Sequence, residues 1–117
     1  FPFNYADAEQ IQTESGLFLV EIHIEKGGLK IGGNKPIKLI LRDSSGNPIE
    51  GAFIKATPWC AEHGHGSSKQ TIVREKDRGL YIIDNIYLQM KTKWNLIVEI
   101  KYKNKEDSVA IPLPKVK

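Results

Sequence analysis

Apolar and polar residues alternate with a period of two along most of this chain, the signature of half-buried β-strands rather than amphipathic helices. From Leu17 to Glu25, Val20, Ile22 and Ile24 alternate with Glu21, His23 and Glu25. Pro36 to Arg42 repeats the pattern, with Ile37, Leu39 and Leu41 on one face, and Ala52 to Thr57 puts Ile54 and Ala56 together. A weaker strand is expected over Gln70–Glu75, then one over Gly79–Asp84 that is rich in β-branched and aromatic residues. Ile86, Leu88 and Met90 continue the alternation. Trp94, Leu96, Val98 and Ile100 form the cleanest apolar stripe, and Ser108–Leu113 closes the chain as an edge strand, because Pro112 and Pro114 cannot donate to a ladder.

Turn formers punctuate these runs at Asp43–Pro48 and Asn104–Asp107. Gly27-Gly28 and Gly32-Gly33 flank Leu29-Lys30-Ile31 as a flexible reversal, and an interruption is expected from Pro58 to Ser68. Short strands at this spacing predict an all-β fold, an antiparallel sandwich of seven or eight strands with negligible helix. Residues 1–15 lack periodicity and read as a flexible lead-in, leaving 16–117 as the sandwich domain.

With 117 residues the chain is sized for one domain, and 40% apolar with 26% charged residues is ordinary globular usage, which excludes a disordered or collagenous chain. Seventeen Lys+Arg against fourteen Asp+Glu give +3, and the lysines are scattered among acids, so the composition does not point to nucleic acid. The longest nearly apolar run, Leu17–Val20, is far short of the roughly 20 residues of a membrane helix. The first residue is Phe1 rather than Met, which fits a processed start with a removed signal peptide or anchor.

One stretch stands out. Pro58-Trp59-Cys60-Ala61-Glu62-His63-Gly64-His65-Gly66 holds the only Cys, two of the three His and one of the two Trp. As a surface loop it would carry solvated histidines in glycine-rich turns. As a ligand set, Cys60, His63 and His65 offer a thiol and two imidazoles, donors suited to copper and zinc, without the spacing of a zinc finger. Full burial of Cys60 is not expected so close to a glycine-rich loop. Trp59 reads either as core or as a shield for the site, Met90 either as core filler or as a ligand, and His23 as a solvated strand residue.

Gly-Asn-Pro-Ile-Glu-Gly-Ala-Phe-Ile at 46–54, Pro-x-Cys-x-x-His-Gly-His-Gly at 58–66, Gly-Leu-Tyr at 79–81, Asn-Ile-x-Leu-x-Met at 85–90 and Trp-Asn-Leu-x-Val at 94–98 follow one another in an order that resembles the YtkA-like domain, a relative of the FixH proteins. The resemblance spans roughly residues 16–113. It implies an immunoglobulin-like sandwich outside the cytoplasm, periplasmic or extracellular and in some members membrane-anchored. It also implies copper handling, with a membrane oxidase or copper-transport protein as partner. In that family the loop reads Pro-x-Met-x-x-Met-Gly-His-Gly. By position, Cys60 and His63 stand in for the two methionines, His65 matches the histidine, and Met90 matches a later methionine before the Trp strand. The implied ligand set is Cys60, His63, His65 and Met90, favouring Cu(I), with Cu(II) or Zn(II) also compatible with thiolate and imidazole.

Two other functions fit the strand pattern. A metal-free adhesive or accessory sandwich would show the same alternation, since fold does not fix function. A hydrolase built on Cys60 or a zinc-bound water is the weakest reading, because no residue in the loop is identifiable as orienting the histidine.

Overall fold

The computed structural model describes residues 9–117. Of the expected lead-in, residues 1–8 lie outside the described part. Eleven strands are formed by the described residues and no helix: β1 (Ile11–Gln12), β2 (Phe18–His23), β3 (Gly32–Asn34), β4 (Ile37–Asp43), β5 (Phe53–Cys60), β6 (His65–Gly66), β7 (Ile72–Asp77), β8 (Leu80–Asp84), β9 (Ile86–Leu88), β10 (Asn95–Tyr102) and β11 (Lys105–Pro112). Among the described residues there is thus no helix long and apolar enough to cross a membrane.

All ladders between these strands are antiparallel. One sheet has the order β1-β2-β4-β8-β7, a second β11-β10-β5-β6, and β3 pairs with β9 in a small third. Apart from β1, the two large sheets have the ABED and GFCC′ pairing of an immunoglobulin-like sandwich. The predicted stripes face inward: Leu39 and Leu41 of β4, Ala56 of β5, and Leu96, Val98 and Ile100 of β10 are all buried in one continuous core. Trp94 and Tyr81 are its largest members. Tyr81 keeps its hydroxyl satisfied at the far end, where Oη donates to the Ile49 carbonyl (2.8 Å) and accepts from the Ala52 amide (3.0 Å).

Several expectations need correction. Residues 9–15 are not merely a tether. β1 pairs with β2, and Thr13 is buried with its hydroxyl on Asp107 of β11 (2.6 Å). β5 runs through Pro58 to Cys60, past the expected break. The Pro58 carbonyl accepts from the Ser67 amide, so the ring nitrogen faces the side beyond the end of β6 and no bond to β10 is lost. β11 begins at Lys105 rather than Ser108, after a two-residue turn in which Lys103 has φ +55°. Leu29 is buried and bridges Val116, and its carbonyl accepts from the Lys117 amide (2.8 Å), so the glycine-flanked reversal is anchored to the C-terminal strand end.

His23 is also not solvated: its side chain is 2% exposed, with Nε2 2.5 Å from the Glu21 carboxylate. Arg42 holds the other oxygen of Glu21 at 3.2 Å. The outer face of this sheet is partly apolar, because Ile40, Leu80 and Ile82 form a second small buried cluster there, and alternation alone does not reveal that cover.

Candidate metal centre

The candidate site lies where β5 hands over to β6. The Gly64 amide donates to the Cys60 carbonyl (2.9 Å), closing a turn over residues 61–64, and Gly64 itself takes φ +66°, a conformation that costs a glycine little. The register then sets Cys60 opposite His65 and Trp59 opposite Gly66. Residues paired across antiparallel strands project to the same face. Cys60 continues the buried phase of Ile54, Ala56 and Pro58, so His65 also points into the end of the sandwich, while Trp59 faces outward and is 39% exposed.

His65 meets the connection between β9 and β10 there. Its Nε2 lies 3.3 Å from Met90 Sδ, and its ring stands edge-on to Trp94 with 6.0 Å between centroids. Met90 is held from behind, because the buried Trp94 indole donates from Nε1 to the Met90 carbonyl (3.0 Å). The segment carrying His65 is stitched to the same connection. Ser67 Oγ donates to the Tyr87 carbonyl (2.5 Å), the Ser68 amide donates to Gln89 Oε1 (3.2 Å), and Gln89 Nε2 donates to the Gly66 carbonyl (3.0 Å). The pair is fixed by its surroundings rather than carried on a floppy loop.

The other ring nitrogen of His65 has two polar neighbours. Nδ1 of His65 lies 3.0 Å from the Gly66 carbonyl, to which it can donate, and 3.4 Å from Gln89 Nε2, from which it can accept. With the proton on Nδ1 the Nε2 lone pair faces the thioether and is open to a metal ion; with the proton on Nε2 the same contact is an N–H···S hydrogen bond. Two donors on a near-tetrahedral ion, with bonds of about 2.0–2.1 Å to nitrogen and about 2.3 Å to sulfur, sit roughly 3.5 Å apart. The observed 3.3 Å is close to that separation. Imidazole and thioether together are a soft donor set of the kind that suits Cu(I).

The other predicted ligands are placed less favourably. His63 is exposed on the turn, its ring 6.0 Å from that of His65 and tilted by 32°. Cys60 is fully buried, contrary to expectation, because the strand extends to include it and its side chain takes the inward phase. Among the described residues no three His, Cys, Asp or Glu side chains gather as a metal-holding group. The trio of Cys60, His63 and His65 is therefore not assembled. His65 and Met90 are brought together, 25 residues apart in sequence.

No family model, curated protein or solved structure matches the chain. The resemblance to the YtkA-like domain accordingly rests on the order of its motifs, and the site on its own geometry. Two residues escaped the sequence reading. Gln89 bonds the carbonyl that orients His65, and Trp94, rather than Trp59, is the indole against the site. The four-residue step from Met90 to Trp94 in a non-helical segment was the only available signal for the second, and for Gln89 there was none.

Proposed function

We propose that this protein is an extracytoplasmic copper-binding protein, a chaperone or assembly factor, that holds Cu(I) between His65 and Met90. The observation that carries the reading is the 3.3 Å approach of an imidazole nitrogen to a thioether sulfur, both of them metal-ligating atoms. His63, exposed on the adjoining turn, is the ligand that reaches the ion from solvent and hands it on. Cys60 stands across the ladder from His65 on the same face and supplies a buried thiol beside it. Copper supplies no reaction here. The chain binds and releases it, and the partner suggested by the family resemblance is a membrane oxidase or a copper-transport protein.

The test is a Cu(I) competition titration on the wild type, His65→Ala, Met90→Leu and Lys103→Ala. Met90→Leu keeps the volume of a half-buried side chain, so folding should change by less than about 1.5 kcal/mol. Affinity for Cu(I) should fall by about tenfold or more in both site variants and stay unchanged in Lys103→Ala, while Zn(II) affinity should be insensitive to Met90→Leu. Equal Cu(I) affinity in all four proteins would leave the metal-free adhesive reading. His23→Ala is unsuitable as a control, because His23 is buried against Glu21.

A further inference from the structure

The end of the sandwich that holds the candidate site differs in charge from the other end. Strand directions place the connections 24–36, 61–71, 85–94 and 113–117 together at that end, and they carry eight lysines and two glutamates. The connections at the opposite end, 13–17, 44–52, 78–79 and 103–104, carry two basic and two acidic residues. The modest net charge of the chain conceals this polarity. Beside the site the basic end is hollow: an open groove of about 740 Å³ runs between the β5–β6 turn, the β9–β10 connection and the C-terminal tail. Lys91, Lys93 and Lys115 line it, all exposed, and Ala61, Pro112 and Leu113 give it apolar surface over the buried Trp94 and Val116. Among the described residues Glu62 is the only carboxylate side chain that lines it. Among the described residues none of the three lysines takes part in an ion pair.

We infer that this groove docks an acidic segment of a partner protein, with carboxylates on the three lysines and an apolar side chain against Ala61, Pro112 and Leu113. Charge complementarity supplies the attraction, and the apolar surface distinguishes a peptide from a lone anion. Concavity favours a protein segment over a membrane, since a flat layer of headgroups does not enter a hollow. Met90 immediately precedes Lys91 and Trp94 borders both groove and site, so a segment seated here lies beside the connection that carries Met90. Docking itself needs no metal, and the inference stands apart from the copper reading.

The experiment is titration of metal-free, isotope-labelled protein with an acetylated, amidated peptide Asp-Glu-Leu-Glu-Asp-Leu-Glu, followed by amide chemical shifts. Its counterpart with Asn and Gln in place of the acids, inorganic phosphate, and vesicles rich in phosphatidylglycerol are run alongside. Shifts should concentrate at residues 91–95 and 112–116 and weaken with salt. The Lys91→Glu/Lys93→Glu/Lys115→Glu variant should weaken peptide binding by about tenfold or more. Lys76→Glu/Lys103→Glu/Lys105→Glu, with the same net charge change at the opposite end, should weaken it by less than about threefold. A triple Lys→Gln variant at the groove, checked for fold by circular dichroism, gives the same ranking if the reversals disturb folding. The inference is overturned by equal losses in the two reversal variants, by equal binding of the uncharged peptide or of phosphate, or by binding of the vesicles without the peptide.

Discussion

Asp107 sits on β11, yet its carboxylate is occupied by the β1–β2 connection of the other sheet. Oδ2 accepts from the Thr13 hydroxyl at 2.6 Å and from the Leu17 amide at 3.2 Å, and both oxygens lie 3.1 Å from the Ser15 amide. The Ser108 amide adds a local bond at 2.9 Å. Asp107→Ala removes three bonds that close the β1–β2 connection over the edge of the second sheet. With about 1 kcal/mol for each, below the usual range for charged acceptors because the group is partly solvated, the loss is about 3 kcal/mol. Burial pushes the carboxyl pKa up, but the hydrogen bonds from Thr13, Ser15, Ser108 and Leu17 together outweigh it and hold the value below the ordinary one. A depressed carboxyl pKa stabilises the fold above the unfolded value of about 3.9, and that stability is lost as pH falls through the lower folded value. Urea unfolding of both proteins should therefore show the full gap at about pH 7 and a narrower one toward about pH 2.5. Asp107→Asn, which keeps an acceptor but no charge, should fall between them at neutral pH. A gap below about 0.5 kcal/mol, or one that does not narrow in acid, would refute the reasoning.

Two further outcomes follow from the same structure. Tyr81→Phe leaves the Ile49 carbonyl and Ala52 amide without their partner and should cost about 1–2 kcal/mol in urea unfolding. Burial, with the nearby Glu75 and Glu50 charges, pushes the Tyr81 phenol up against the opposing Ala52 bond. Its folded pKa is the higher one, so stability falls as pH rises above about 10, and spectrophotometric titration should find one late phenol that the variant lacks. Gly79→Ala should lower stability by about 2–4 kcal/mol in thermal unfolding, because φ is +77° there and an added Cβ would stand 2.7 Å from Pro48 Cβ.

Much of the fold was legible because burial on one face forces a period of two. The stripes at Ile37–Leu41 and Trp94–Ile100 face the core as read. The alternation could not reveal that the outer face of the first sheet is itself partly covered, so His23 was misplaced together with the cluster around Ile40. Proline signalled a break at Pro58 that the ladder avoids by turning the ring nitrogen away from its neighbour. The site was half legible. Local composition picked out the 58–66 segment, and Met90 entered only through the family resemblance. Strand phase then decided what no spacing rule contains, burying Cys60 and turning His65 inward to Met90 while leaving His63 outside.

The central claim, that His65 and Met90 form the core of a copper site, is tested most directly by X-ray absorption at the copper edge on Cu(I)-loaded wild type, Met90→Leu and Cys60→Ala. A sulfur shell at about 2.3 Å beside nitrogen at about 2.0 Å is predicted for the wild type and for Cys60→Ala, with the sulfur lost in Met90→Leu. A sulfur shell that survives Met90→Leu and disappears in Cys60→Ala, or no sulfur shell in the wild type, would contradict the account.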